Sequence, residues 1–408
     1  MGQMKELWME QMQRGYSQWP GKRYLCRQCV TDAFLMDKLD ESSEDEACSY
    51  CGAMPSADLV VLLDEIADYL ATEYEDPANS MIYESKEGGY PIEPDNGADL
   101  VRELDRWSDR EDVVEDAAVA FSDSFLCRRD YWRSTDDEML RYGWERFRNL
   151  VKHRTRYLFF DTMSEETPWD EAIPPNRVLS ALGRLVNELN VFSVIPKDNV
   201  IFRVREHPES ESPCTAEDLG PPPREKTCMN RMSPAGIPMF YGAYDPKTAI
   251  RETFGSQCGE GRAGTLARFR VNRDLFVLDL TRLPPFPSPF DRAGRHLRRP
   301  LRFLHEFVSE FSRPIKRDGG EVVDYVPTQV VTEFFRYRHR GDEDRPIDGI
   351  AYRSSRKGGG HAVVLFFTGE ECGPWETERG WGPEEVLSLT CKKRLEPRDL
   401  VAAVEAGS

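Results

Sequence analysis

No stretch of this chain approaches the ~18 uninterrupted apolar residues that mark a membrane-crossing helix. The N-terminal segment lacks the continuous apolar core of a secretory signal, so a cytoplasmic location is expected. Met1-Gly2 does not open a myristoylation motif, because Glu6 stands where that motif needs Ser or Thr. Positive charge is in short supply. Lys and Arg number 54 against 72 Asp and Glu, a net charge of -18. Such a field opposes nucleic acid, whose phosphates require Lys and Arg to release their counterions. One local exception, Arg292, Arg295, Arg298, Arg299 and Arg302, reads as a solvated face or loop. No internal repeat is visible. Without an export signal, the ten cysteines are not expected to form a disulfide framework.

What is there is enough for real cores: 39% of the 408 residues are hydrophobic, a length that predicts two or three domains at ~100–200 residues each. Residues 1–56 hold the paired cysteines, with the acidic run Asp37–Glu46 between them as a solvated loop or helix end. Residues 57–195 read as helical. Leu59, Leu62, Leu63, Ile66 and Leu70 recur at helical spacing behind Ser56 as N-cap. Val178, Leu182, Leu185, Val186 and Leu189 repeat the pattern behind Pro174 and Pro175. The aromatic and basic stretch Tyr142–Phe160 also reads as helix. Residues 196–408 mix short strands (Val200–Val204, Met239–Ala243, Thr265–Val271, Leu275–Asp279, Gly349–Tyr352 and His361–Phe367) with helices over 246–254, over 301–311 and from Pro327. A Pro-rich loop, 207–226, interrupts them. The fold class this predicts is α+β.

Two C-x-x-C pairs, Cys26/Cys29 and Cys48/Cys51, stand at the interval of a four-cysteine zinc ribbon, about 15–20 residues. Thiolates two residues apart on a tight knuckle reach one ion together, and two knuckles complete a tetrahedron. Gly52 suits the turn such a knuckle needs. Four thiolates leave no open position, so the zinc expected here is structural.

The C-terminal half carries a resemblance. Arg231-Met-Ser-Pro-Ala-Gly-Ile-Pro-Met-Phe-Tyr241 runs on to Asp245-Pro-Lys-Thr-Ala-Ile-Arg-Glu252. With Arg203 in Ile-Phe-Arg-Val-Arg, with Tyr325-Val-Pro-Thr-Gln329 and with Asp348-Gly-Ile-Ala-Tyr-Arg-Ser354 before Gly358–Gly360, this resembles the RES family. Met232, Ser233 and His361 depart from its usual residues. The resemblance implies a fold similar to ADP-ribosyltransferases and an enzyme that consumes NAD+ by phosphorolysis or hydrolysis, in many relatives as the toxin of a toxin–antitoxin pair. Glu252 would face the cationic ribose as the glycosidic bond breaks. Arg203 and Arg231 would bind pyrophosphate or an attacking phosphate. Tyr241 and Tyr352 would line the substrate site, and Ser354 would donate to an oxygen. The catalytic set is thus Arg203, Glu252 and Ser354.

Cys26-Arg-Gln-Cys29, Cys48-Ser-Tyr-Cys51-Gly52 and Tyr74-Glu-Asp-Pro-Ala-Asn79 resemble the zinc-bearing, HEPN-like helical region that precedes some bacterial RES domains, a class that often dimerises. Arg148-Asn-Leu-Val-Lys-His153 fits the R-x4-H pattern of HEPN ribonucleases, with His153 as acid–base. Three alternatives therefore stand beside NAD+ cleavage: a ribonuclease through Arg148 and His153, an ADP-ribosyltransferase, and a zinc-stabilised interaction module that binds an antitoxin or regulator.

Overall fold

Apolar residues three and four apart bury one face of most helices, and short strands close the gaps between them. The computed structural model describes residues 14–16, 21–86, 88–129, 133–160, 172–254, 262–313, 320–341, 344–356, 360–374 and 385–395. The chain forms two compact units, one of residues 1–135 with 286–299, the other of 136–285 with 300–408. This division differs from cuts at 56 and 195.

In the first unit, β1 (Tyr24–Leu25) precedes α1 (Ala33–Glu41), whose N-cap Asp32 accepts from the Leu35 amide. β2 (Ala57–Asp58) pairs antiparallel with β1 and leads into α2 (Val60–Glu73). Ser56 is therefore not the cap of α2. Its hydroxyl donates to the Glu46 carbonyl, 2.7 Å, and Asp58 accepts from the Val60 amide, 3.0 Å. Pairing residues 57–58 with β1 delays the helix. The expected buried face holds: Leu59, Leu62, Leu63, Ile66 and Leu70 are all in the core. After β3 (Tyr74–Glu75) come α3 (Pro77–Ser80), β4 (Asp95–Asn96), α4 (Gly97–Glu103), α5 (Glu111–Ala120) and β5 (Phe125–Arg128). β5 lies between β3 and β4 in a small sheet, so this region is not wholly helical as the pattern predicts.

Residues 286–299 belong to this unit although they lie far along the chain. Phe290 is fully buried in its core, edge-on to Tyr69 at 6.1 Å. The basic stretch is a solvated face only in part: Arg292 and Arg302 are largely exposed, whereas Arg295 and Arg298 are mostly buried. Arg292 and Arg295 both reach Asp68 at 2.8 Å, while Arg298 pairs with Asp105 and Arg299 with Glu73. The acid excess of the sequence is matched locally by these guanidinium groups.

In the second unit, α6 (Asp136–His153) starts on three acids and ends on Lys152 and His153, each favourable to the helix dipole. It begins and ends earlier than the aromatic pattern predicts. α7 (Pro175–Glu188) buries Val178, Leu182, Leu185 and Val186. The remainder is a mixed sheet of β6 (Phe192–Ile195), β7 (Val200–Pro208), β8 (Phe240–Ala243), β9 (Arg262–Val271), β10 (Leu275–Asp279), β11 (Gly349–Arg353), β12 (His361–Leu365), β13 (Cys372–Pro374) and β14 (Leu387–Leu395). Their order is β13-β14-β9-β7-β8-β12-β11-β10-β6. Only β10–β11 and β13–β14 are parallel pairs. β7 runs on into the expected loop, and α8 (Ala216–Leu219), closed by a Thr215/Asp218 capping box, interrupts it. Helix α9 (Pro246–Phe254) packs Ala249, Ile250 and Phe254 onto Val204 and Ala243, while Ile201, Phe240 and Phe269 belong to another cluster of the sheet core. α10 (Arg298–Ser312), α11 (Glu321–Asp324) and α12 (Val326–Tyr337) complete the described elements. The architecture is α+β. No helix among the described residues is long and apolar enough to cross a membrane.

Phe290→Ala should cost the first unit about 3–5 kcal/mol, the usual penalty for emptying a buried aromatic site. Denaturant unfolding of the full chain, followed by hydrogen exchange in residues 60–73, reads this directly. Unchanged protection there would show that residues 286–299 are not part of that core.

Candidate active site

Strands β7, β8 and β11, helix α9 and adjoining loops of the second unit surround a cavity of about 750 Å³, lined among others by Arg203, Arg231, Tyr241, Glu252 and Tyr352. Arg203 lies on β7 opposite Ala267 of β9. Its guanidinium donates from Nε to the Leu219 carbonyl, 3.1 Å, and from Nη1 to the Tyr241 carbonyl, 2.7 Å. Burial, and then the nearby Arg205, push its pKa down to about 10, which leaves it cationic at neutral pH. Arg231 sits in the turn before β8. It donates to the Phe311 carbonyl, 2.8 Å, and its other terminal nitrogen lies 3.5 Å from the Ser355 hydroxyl. Neither arginine has a carboxylate partner among the described residues. Arg205, Lys226 and Arg356 line the same cavity.

Glu252 lies in the last turn of α9, half-buried, and accepts a hydrogen bond from the Ser354 hydroxyl through one carboxylate oxygen. Ser354 is not on the cavity wall; it stands behind Glu252, and the neighbouring Ser355 lines the wall instead. A short relay fixes Ser354. Its amide donates to the Gly360 carbonyl, 3.0 Å, and the Gly360 amide donates to Thr248 Oγ1, 2.9 Å. Thr248 in turn donates to Asp245, 2.6 Å, and Asp245 accepts from the Thr248 amide, 2.9 Å. Asp245 and Thr248 stand within the family signature, yet only the Asp-Pro start of a helix hinted at their part. A side chain at Gly360 would place Cβ 2.8 Å from Thr248 Oγ1 and 3.0 Å from an Asp245 oxygen, so this approach requires glycine. Gly358 and Gly359 lie outside the described residues.

Tyr241 shares a 2.9 Å hydrogen bond with Ser233, and burial pushes its phenol up to about 12. Tyr352 is buried; desolvation first, and then the Glu252 carboxylate, hold its phenol well above the ordinary range. Both rings are neutral at physiological pH. The cavity thus combines cations without counter-charges, one oriented carboxylate and two neutral aromatic walls.

A family model described as RES domain matches residues 200–379. The chain carries a RES domain. The matched stretch begins at the first residue of β7 and spans every cavity residue named above. A second model, HEPN/RES N-terminal domain 1, matches residues 41–165. No curated protein and no solved structure matches the chain.

Two further sets of residues lie ahead of the RES domain. Cys26, Cys29, Cys48 and Cys51 have sulfur atoms all within 4.8 Å of one another, with Cys26–Cys51 at 3.3 Å and Cys29–Cys48 at 3.8 Å. The Cys29 amide donates to Cys26 O and the Gly52 amide to Cys48 O, which closes one tight turn under each pair. Gly52 adopts φ 77°, a conformation that favours glycine. The set could hold a metal ion. The R-x4-H residues are not brought together. Arg148 pairs with Glu310, which also accepts from Trp144 Nε1 at 2.8 Å, and His153 is exposed at the end of α6.

Gly360→Ala should cost about 1–3 kcal/mol, as expected for an intrusion into a packed site, and should loosen Ser354 from Glu252. Thermal unfolding, together with exchange protection of the Ser354 amide, measures both. A variant as stable and as protected as the parent would remove the relay from the account of the site.

Proposed function

We propose that the RES domain cleaves the nicotinamide–ribose bond of NAD+, with phosphate or water taking the ribose. RES domains are associated with NAD-processing enzymes. The single observation that carries the reading is the pairing, in one cavity, of two arginines without carboxylate partners and a carboxylate held by Ser354.

The chemistry follows from those groups. Arg203 and Arg231 present fixed forks of N–H donors to the pyrophosphate, a geometry that lysine does not offer. Tyr241 and Tyr352 supply neutral faces for a ring or the ribose. As the C1′–N glycosidic bond breaks, its electron pair passes to the pyridinium nitrogen, and nicotinamide leaves neutral without a general acid. Positive charge develops on the ribose. The Glu252 carboxylate, already oriented by Ser354, stabilises it at no reorganisation cost. Phosphate as acceptor fits the additional cations Arg205, Lys226 and Arg356 on the wall. The proposal extends to a toxin-like effector restrained by a partner protein.

The cysteine set fits a structural zinc. A Zn–S length of ~2.3 Å in a tetrahedron separates the sulfurs by about 3.8 Å, close to the spacings found. The four thiolates would fill the coordination shell and fix two turns of the first unit, with no part in the reaction. Purified protein should contain about one zinc per chain. Cys29→Ser should release it and lower the unfolding temperature, and a metal content well below one in the parent protein would reject the assignment.

Incubation of purified protein with NAD+, with and without phosphate, tests the enzymatic reading. Nicotinamide should be released; a phosphorylated ADP-ribose product indicates phosphorolysis, free ADP-ribose hydrolysis and labelled protein ADP-ribosyl transfer. Glu252→Gln should lower kcat by about a hundred- to a thousand-fold, the scale of one lost electrostatic stabiliser. His153→Ala should change nothing. RNA cleavage that depends on His153, with no nicotinamide formed, would replace this reading with a ribonuclease.

A further inference from the structure

The turn that carries Arg231 contains no helix or strand from residue 227 to residue 239, yet it must hold a guanidinium against the cavity. Its backbone is closed on itself by the Asn230 amide to Ser233 O, 2.8 Å, and the Ser233 amide to Asn230 O, 3.3 Å. The remaining capacity of its carbonyls is met by side chains of one helix turn. Gln329 Nε2 donates to Asn230 O at 2.8 Å and to Ser233 O at 3.3 Å. Thr328 Oγ1 lies 2.6 Å from Arg231 O and 2.9 Å from Tyr325 O, a single hydroxyl proton serving both. Gln329 is 7% exposed and Thr328 8%. Both sit in the first turn of α12, directly after Tyr325, which lines the cavity.

We infer that Gln329 and Thr328 are positioning residues for the nucleotide cavity: they clamp the Arg231 turn and so set where its guanidinium meets the substrate anion. The inference rests on the reading of the cavity as a dinucleotide site. A carboxamide is suited to the task. Its two N–H groups offer a separate proton to each of two carbonyls three residues apart, whereas a hydroxyl has one proton to share and a carboxylate none. The clamp also acts beyond Arg231. Ser233, whose carbonyl is held by Gln329, is the residue that hydrogen-bonds the Tyr241 phenol. One helix turn therefore fixes a cation and an aromatic wall of the same cavity without touching substrate. Glu252 and Ser354 are held by the separate relay through Thr248 and Gly360, so the clamp should govern binding more than bond cleavage.

The test uses the full chain, with ADP-ribose as calorimetric probe and NAD+ as substrate. Gln329→Met keeps the shape and removes both donors. It should raise the ADP-ribose Kd and the KM about ten-fold, the scale of one net hydrogen bond, with kcat nearly unchanged. Thr328→Val should act in the same direction, and Thr328→Ser should recover most of that loss. A variant that shows the parental Kd in a reduced fraction of binding-competent molecules has only lost fold, and that result overturns the inference. Parental Kd and KM in Gln329→Met overturn it alone, leaving the dinucleotide reading intact. Failure of the parent protein to bind ADP-ribose removes both.

Discussion

A half-buried arginine on the cavity wall, its guanidinium held by two carbonyl oxygens with no carboxylate partner among the described residues, is the constraint around which the RES domain is organised. Taking Arg203 out of water costs several kcal/mol unless hydrogen bonds or a counter-charge compensate. The Leu219 and Tyr241 carbonyls supply the bonds but not the charge. The chain carries 72 acids against 54 Lys and Arg, and places Asp68, Asp105 and Glu73 on Arg292, Arg295, Arg298 and Arg299. A cation without a carboxylate partner is what the proposed binding of a substrate anion requires. The sheet order makes it possible. β7 pairs with β8, so the backbone of Tyr241 can hold the side chain of Arg203, and β12 brings β11 with Tyr352 alongside.

The opposite charge in the cavity is handled by different means. Glu252 makes no ion pair with an arginine among the described residues; its carboxylate is oriented by the neutral Ser354 hydroxyl. Ser354 is fixed in turn by backbone contacts that depend on the absence of a side chain at Gly360. Sheet and α9 carry Arg203 and Glu252, while Arg231 stands on a turn held by Thr328 and Gln329. Such preorganisation is what electrostatic stabilisation of a developing cation needs.

Local chemistry made some of this readable from the sequence. Asp245-Pro246 marks a helix start through capping and a fixed proline φ, and β10 reads as strand because its apolar run is short and bounded. β14 escaped because Thr390–Arg394 are exposed and polar, so the strand is defined by pairing to β9 and not by alternation. β6 escaped for a related reason: it is four residues long at the edge of the sheet. Residues 286–299 carry no local sign that Phe290 joins a core built from residues more than two hundred positions earlier, such as Leu62 and Ile66. The order of Arg203, Arg231, Glu252 and Ser354 was legible as a motif. That Ser354 stands behind Glu252, with Ser355 on the wall, depends on how one loop turns, and no residue pattern encodes that.

The R-x4-H residues illustrate the same limit in the other direction. Five positions on a helix separate two side chains by about 140° at 3.6 residues per turn, so Arg148 and His153 cannot serve one reacting atom within a single chain. α6 instead directs Arg148 and Trp144 to Glu310 and Lys152 to Asp324. Glu310 precedes Phe311, whose carbonyl holds the Arg231 guanidinium, and Asp324 precedes Tyr325 on the cavity wall. Arg148 and Lys152 of α6 thus support the elements that flank the cavity. A helix that falls within the HEPN/RES N-terminal match is, in its contacts, part of the second unit. The boundary between the two matched regions therefore does not coincide with the boundary between the two units, because the last helix of the first match packs within the second unit.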